Sequence, residues 1–312
     1  MNVVFMFPIK DHQKENLLHR FPHVDFHFEQ SDEAIAQAEI IVTYGSDVTI
    51  PILEKAKSLE WLMVASAGIE KLPLAYIAGR GLLMTNAKGI HKIPMAESVL
   101  AYMLAVRRSL FLMYDRQKKK EWNKRVHSRE LRGSTALILG PGTIGGEIGR
   151  LLQAFGVRTI GCNRSGKESE WMEETVVFDR LSERLGEADF IISILPSTPE
   201  TRGLLTKEHF REMKETAVFM NFGRGDLLDE ADLIEALKSG EIGQAVLDVF
   251  ETEPLPEDSE LWTLPNCFIS PHASSFSGKY VERSLEIFEA NLEKWLQGDR
   301  KLLNITDPLK GY

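Results

Sequence analysis

An α/β class with two parallel sheets, one domain inserted into the other, is what the sequence predicts, and three observations predict it. Apolar strand-like runs alternate with helix-length segments: Val3 to Phe7, Ile40 to Tyr44, Trp61 to Ala65 and Leu82 to Asn86, then Ala136 to Leu139, Val157 to Cys162, Phe190 to Leu195, Val218 to Phe222, Ala245 to Val249 and Phe268 to Ser270. Such alternation builds βα units and parallel sheet. The run Leu137 to Gly149 delivers a strand into a helix through Gly140, Gly142 and Gly145, at G-x-G-x-x-G spacing. Four strand-like runs precede that turn, so a separate domain comes first. The proline-led helical segment Pro94 to Arg107 and the amphipathic segment Ser284 to Trp295 are the predicted crossings between domains. The expected architecture is two Rossmann-like/flavodoxin-like parallel-sheet domains, with a nucleotide-binding domain over 95–284 inserted into a first domain of 1–94 plus 285–312.

In the glycine turn, Gly140 permits the tight bend, Gly142 lets backbone approach a pyrophosphate, and Gly145 lets helix and strand pack closely, with the helix N-terminus toward the anion. Methyltransferase turns and plain packing turns share the pattern. The dinucleotide fingerprint usually places an acidic residue about 20 residues on, to hold the ribose 2′-hydroxyl. Here the next strand ends in Asn163-Arg164-Ser165-Gly166-Lys167 instead. A carboxylate would repel a 2′-phosphate, whereas guanidinium, hydroxyl and ammonium groups bind one. The sequence therefore predicts NADP(H), with NAD(H) as the weaker alternative. The plainer reading of Arg164 is a solvated arginine at a strand end.

The 312 residues suit about two domains, and 43% hydrophobic with 27% charged residues is ordinary globular chemistry. A net charge of -9 argues against general nucleic-acid or anionic-membrane binding, so any cationic site must be local. The basic run Arg116 to Lys120 lacks interleaved aromatics and reads as solvated helix surface. Cys162 and Cys267 sit in apolar runs and match no metal-ligand spacing, as expected of reduced, packed thiols in a cytoplasm. The start Met1 to Pro8 lacks the basic opening of a signal peptide, and no run approaches the ~20 apolar residues of a membrane span.

Three polar residues follow strand-like runs: Arg224 in Asn221-Phe222-Gly223-Arg224-Gly225, Glu253 in Asp248 to Pro254, and His272 in Ser270-Pro271-His272-Ala273. In open α/β sheets ligands bind outside the carboxyl ends of strands. Reduction of a 2-oxo acid needs a cation for the substrate carboxylate and an acid that protonates the oxygen as hydride arrives. Arg224 and His272 supply these, and Glu253 would fix the imidazole tautomer and favour the protonated ring. Singly, each reads as a structural or solvent-facing residue; the combination carries the functional reading. Arg224-Gly225-Asp226 also spells a cell-adhesion tripeptide, a frequent chance match.

With Leu131-Arg132-Gly133 before the glycine strand, Leu195-Pro196-Ser197-Thr198-Pro199-Glu200-Thr201-Arg202-Gly203-Leu204, and the Arg224, Glu253 and His272 segments in this order, nearly the whole chain resembles the D-isomer-specific 2-hydroxyacid dehydrogenases, especially their glyoxylate/hydroxypyruvate reductase branch. The resemblance implies that Arg224 binds substrate, that His272 is the acid/base with Glu253 its partner, and that Asp248 contacts the nicotinamide carboxamide. It implies a turn at Ser66, Ala67 and Gly68 whose N–H groups hold the substrate carboxylate, and a homodimer built on the cofactor domain. The cofactor set expected on motif and resemblance together is Gly140, Gly142, Thr143, Ile144, Gly145, Asn163, Arg164, Ser165, Lys167, Leu195, Pro196, Thr201, Phe222, Gly223, Asp248 and His272. Two departures stand out: Ala273-Ser274-Ser275-Phe276 replaces the glycine pair common after the histidine, and Pro141 removes one N–H donor from the glycine turn. A dinucleotide-sensing, corepressor-like protein without turnover is the alternative on the same fold. A formate dehydrogenase is disfavoured, since those relatives carry glutamine where this chain has Glu253. Tyr44, Met95, Trp122 and Phe276 are candidates for sensing the substrate side chain, against the plainer reading of each as ordinary packing.

Overall fold

Parallel strands covered on both faces read as continuous apolar runs, and the uniformly buried segments Ile40–Thr43, Trp61–Val64, Phe190–Ser193 and Val218–Asn221 show that behaviour. The computed structural model describes residues 1–69 and 71–309, so the end of the expected 285–312 segment lies outside the described residues. The chain divides into two units, Met1–Ile90 with the chain from Ser277 onward, and His91–Phe276. The borders expected at 94/95 and 284/285 fall inside the helices Lys92–Arg107 and Tyr280–Leu296. Buried faces place the breaks instead: Met95, Ala96, Val99 and Met103 belong to the core of the second unit, Leu285, Phe288, Leu292 and Trp295 to that of the first. Pro94 sits within the first turn of its helix, where a missing N–H costs nothing.

The first unit holds five parallel strands, β1 (Asn2–Phe5), β2 (Asp25–His27), β3 (Ile40–Thr43), β4 (Trp61–Val64) and β5 (Leu83–Asn86), in the order β2-β1-β3-β4-β5. Alternate residues face opposite layers, as the two-residue repeat of a strand demands. Phe5, Val42 and Trp61 join one core with Phe288 and Trp295, while Val4, Ile41 and Leu62 join the other with Ile35, Leu53 and Ile77. The Trp61 ring stacks on Phe288 and Trp295 at centroid distances of 5.6 and 5.4 Å, and its indole N–H donates to Thr85 Oγ1 at 2.8 Å. This stack explains why the late helix returns to the first sheet.

The second unit holds seven parallel strands, β6 (Thr135–Leu139), β7 (Arg158–Asn163), β8 (Glu174–Val177), β9 (Phe190–Ser193), β10 (Val218–Asn221), β11 (Gln244–Leu247) and β12 (Cys267–Ile269), in the order β12-β11-β10-β9-β6-β7-β8. The order turns back between β6 and β9, the switch point at which such sheets bind dinucleotides. Register aligns Leu139 with Ser193, Ser193 with Asn221, Asn221 with Leu247, and Leu247 with Ile269. The loops after five strands therefore leave one sheet edge side by side. Cys162 is buried in β7 and Cys267 half-buried in β12, both unpaired, and burial pushes each thiol up to about 12. The basic run lies on and just beyond the surface helix Leu110–Lys118. No helix among the described residues is long and apolar enough to cross a membrane.

Close packing at the glycine turn yields a stability test. A Cβ on Gly145 would stand 2.3 Å from the Gly140 carbonyl oxygen, whereas one on Gly146 would meet only Trp171 Cδ1 at 3.9 Å. Gly145→Ala should lower stability by about 1–3 kcal/mol through overpacking. Gly146→Ala should be neutral or stabilising, by up to about 1 kcal/mol, because alanine favours a helix interior. Urea unfolding midpoints read both, and equal midpoints for the two variants would contradict the packing argument.

Candidate active site

The aligned ends of β6, β9, β10, β11 and β12 present, in turn, the glycine turn, the Leu195-Pro196 segment, the Gly223-Arg224-Gly225 turn, Asp248 and the Ser270 to Ser274 loop. His272 is half-exposed, and its Nδ1 lies 2.7 Å from Glu253 Oε2. An ionised carboxylate only accepts, so Nδ1 carries the proton and Nε2 is left for exchange with a ligand. Glu253 is itself oriented by the Phe250 N–H, which donates to Oε1 at 3.1 Å. Asp248 is 1% exposed. Its carboxylate accepts from the Ser270 hydroxyl at 2.5 Å, the Ala273 N–H at 2.9 Å, and both the N–H and the hydroxyl of Ser274. Its expected partner, a carboxamide, would compete with four donors already in place.

Arg224 is exposed at the head of the single 3-10 turn Gly225–Leu227, and its guanidinium donates to the Gly223 carbonyl at 2.8 Å. Buried Asn221 ties the turn, donating to the Arg224 carbonyl at 2.9 Å and accepting from the Gly223 N–H at 3.1 Å. Gly225 packs so tightly that a Cβ would fall 2.0 Å from the Phe250 carbonyl carbon, which fixes the Arg224 turn against the strand end leading to Glu253. Asp226 accepts from Ser197 at 2.5 Å and pairs with Arg202 at 3.2 Å, so the Arg-Gly-Asp tripeptide is part of this folded turn.

Gly142 and Thr143 are exposed at the N-terminus of the helix Thr143–Ala154, with Ile144 half-buried behind them. Pro141 is buried: Gly161 gives it room, since a Cβ there would sit 3.0 Å from the proline ring. After β7, Asn163 knits its loop by accepting from the Ser165 N–H at 3.0 Å and donating to the Lys167 carbonyl at 2.9 Å, while Arg164, Ser165 and Lys167 face solvent. The Glu200 carboxyl is held below its usual range, first by the Thr198 hydroxyl and in small part by the charge of Arg164. Leu195 and Phe222 are buried in the cores on opposite faces of the sheet, so only their main chains are at the edge. Buried Thr201 donates to the Pro196 carbonyl at 2.6 Å and accepts from the Thr198 N–H at 2.9 Å, shaping the turn that carries Pro196.

In the first unit, the carbonyls of the turn after β4 are all hydrogen-bonded. The Ser66 carbonyl accepts from the Ala87 N–H at 3.0 Å, that of Ala67 from the Asn86 side chain at 2.7 Å, and that of Gly68 from the Ser66 hydroxyl at 2.7 Å. In planar trans peptides the N–H that follows each carbonyl points the opposite way. Beside the turn is a cavity of about 320 Å³ lined by Tyr44, Ser46, Ser66, Gly68 and Lys71. Tyr44 stacks on Phe7 at 4.0 Å, and burial raises its phenol. Of the other side-chain candidates, Met95 is buried in the core, whereas Trp122 and Phe276 are 92% and 75% exposed. Asn221 and Ser270 were missed by sequence reasoning, their signal being a polar residue at the end of an apolar run, and Ser274 was read only as a replacement for the glycine pair.

Residues 100–274 match the family model described as D-isomer specific 2-hydroxyacid dehydrogenase, NAD binding domain. The chain is 34% identical over 273 residues to D-3-phosphoglycerate dehydrogenase of Methanocaldococcus jannaschii, a match over 86% of this chain but only 51% of that protein. It is 32% identical to glyoxylate/hydroxypyruvate reductase B of Klebsiella pneumoniae, over 85% of this chain and 86% of that one. Among solved structures, a D-isomer specific 2-hydroxyacid dehydrogenase family protein from Aeromonas salmonicida superimposes with a TM-score of 0.83 at 34% identity, covering 98% of this chain and 99% of the other. The NADPH-dependent glyoxylate/hydroxypyruvate reductase of Sinorhizobium meliloti, in complex with NADP and sulfate, gives 0.74 at 27% identity, covering 100% and 99%. Nicotinamide dinucleotide binding at the second sheet and oxidoreductase chemistry follow from these matches, and the chain belongs to the D-isomer specific 2-hydroxyacid dehydrogenase family, on its glyoxylate/hydroxypyruvate reductase-like branch.

Proposed function

We propose that this chain reduces a small 2-oxo acid of the glyoxylate or hydroxypyruvate kind to the D-2-hydroxy acid, with NADPH preferred over NADH. The observation that carries the reading is the 2.7 Å pair of His272 and Glu253, at the sheet edge that also bears Arg224. The nicotinamide cofactor, when bound, supplies the hydride to the carbonyl carbon. His272 Nε2–H gives its proton to the carbonyl oxygen as charge develops there, and Glu253 stabilises the imidazolium that must be present beforehand. Arg224 holds the substrate carboxylate and polarises the carbonyl. The N–H groups of the Ser66 to Gly68 turn are assigned to the substrate carboxylate as well.

The helix start at Gly142, Thr143, Ile144 and Gly145 suits a pyrophosphate. The exposed Arg164, Ser165 and Lys167 suit a 2′-phosphate, in a chain whose net charge of -9 otherwise repels one. Two unpaired cysteines fit a reducing cytoplasm. A homodimer through the second unit is supported by exposed Leu110, Leu112, Met113, Tyr114 and Trp122, an apolar surface of the kind that pairs.

Initial rates with glyoxylate, hydroxypyruvate, pyruvate and 2-oxoisocaproate, each with NADPH and NADH, test the whole reading; turnover by none of the pairs, in folded protein that binds cofactor, defeats it. Arg164→Ala should raise KM for NADPH by about 10- to 100-fold, the value of one charge-assisted hydrogen bond, while KM for NADH changes little. An equal rise for both cofactors would reject the 2′-phosphate assignment. His272→Ala should lower kcat by about 10²–10⁴-fold with cofactor affinity kept, and Arg224→Ala should impair both KM and kcat. Since reduction consumes the imidazolium proton, the wild-type reduction rate should fall as pH rises and the reverse oxidation should gain; a flat reduction profile through the imidazole range would remove His272 from its role.

A further inference from the structure

The loop that carries His272 is wound around a buried carboxylate. Asp248 Oδ1 accepts from the Ser270 hydroxyl at 2.5 Å and from the N–H groups of Ala273 and Ser274 at 2.9 and 3.2 Å. Asp248 Oδ2 is held by Ser274 alone, through its hydroxyl and its N–H at 3.3 Å. Both serines are buried, 7% and 5% exposed. Inside this ring His272 has φ 51°, and its N–H points to the main-chain carbonyls of Asp248 and Ser270 at 2.9 and 3.0 Å. A side chain at positive φ is unfavourable and persists where the surroundings over-determine it. The carboxylate does so by pinning residue 270 on one side of His272 and residues 273 and 274 on the other. The Ser274 carbonyl in turn accepts from Ser98 at 3.1 Å, tying the loop to the helix Lys92–Arg107.

We propose that Asp248, Ser270 and Ser274 form a clamp that positions His272 for proton transfer, and that the clamp depends on the Ser274 hydroxyl. The proposal rests on the reading of His272 as proton donor. A carboxylate has about four acceptor positions, and the loop supplies four donors, so Asp248 is held by its own loop. Ser274 is a positioning residue: its hydroxyl touches Asp248, and its effect reaches the reaction through the aim of the imidazole.

The test uses the full chain and compares Ser274→Ala, Ser274→Thr and Asp248→Asn for kcat and KM in glyoxylate reduction, for NADPH Kd by calorimetry, and for amide exchange at residues 273 and 274. Ser274→Ala should lower kcat by about tenfold or more, the scale of a misplaced reacting group. It should leave NADPH Kd within about threefold and speed exchange at the two amides by about tenfold or more. Ser274→Thr keeps the hydroxyl and should restore both. The clamp is overturned by a Ser274→Ala enzyme with wild-type kcat, by unchanged exchange, or by a threonine variant as impaired as the alanine one. It is equally overturned by Asp248→Asn that loses NADPH affinity by about tenfold while exchange stays slow, the signature of a direct cofactor contact. A wild-type protein that reduces no 2-oxo acid defeats the reductase reading instead, and the exchange measurement then decides the clamp by itself.

Discussion

The in-register parallel ladder of the second sheet is the constraint on which the candidate site depends. Because Leu139, Ser193, Asn221, Leu247 and Ile269 are paired in a row, the residues that follow them leave the sheet at one edge whatever their spacing in sequence. Parallel pairing supplies this without further design, since every strand runs the same way and ends at the same side. The ladder in turn needs cover on both faces. Ile138, Ile192, Met220 and Val246 pack into one layer and Leu139, Ile191, Phe219 and Ala245 into the other. The same alternation explains why Phe222 and Leu195, though next to the site, spend their side chains on the core.

Two strands were not legible in the sequence, β2 and β8, and both are sheet edges. Asp25-Phe26-His27 and Glu174-Thr175-Val176-Val177 are covered only in part and carry polar residues, so the apolar run that betrays a fully covered strand is missing. The central strands were legible because burial on both faces leaves little room for anything but apolar residues. The domain breaks were displaced by a few residues for a related reason: a proline and a loop composition mark where a helix can begin, while only packing decides which core owns it. The helix Tyr280–Leu296 illustrates this, since Phe288 and Trp295 stack on Trp61, more than two hundred residues earlier in the chain.

Within the candidate site, the sequence displayed the groups proposed to do chemistry and concealed those that hold them. Arg224, Glu253 and His272 are conspicuous as charged residues after apolar runs. Asn221, Ser270 and Ser274 are as close to the chemistry, yet they are small, uncharged and buried, and their hydrogen bonds join segments that are distant in sequence. Asp248 was visible as an acid at a strand end, but its partners depend on how the following strand's loop folds back, a three-dimensional fact that no spacing rule encodes. Ser274 has the same history. As one of the residues standing in for a glycine pair, it reads as added bulk beside the imidazole, whereas its burial and its bond to Asp248 turn it away from solvent.

The charge arrangement gives these neutral donors a physical purpose. Elsewhere several arginines of the chain pair with carboxylates: Arg20 with Glu289 and Glu293, Arg158 with Glu174 and Glu187, Arg184 with the same two acids. Asp248 is satisfied by two hydroxyls and two amides, and the guanidinium of Arg224 rests on a main-chain carbonyl at 2.8 Å. Had a cation been used to balance Asp248, it would have stood near the imidazole and opposed the protonated ring that the proposed reduction needs. Had a carboxylate been used to hold Arg224, the positive charge would have been neutralised before an anionic substrate arrived. Holding the buried acid with serines and backbone leaves Arg224 unspent on it, as the proposed substrate-binding role requires.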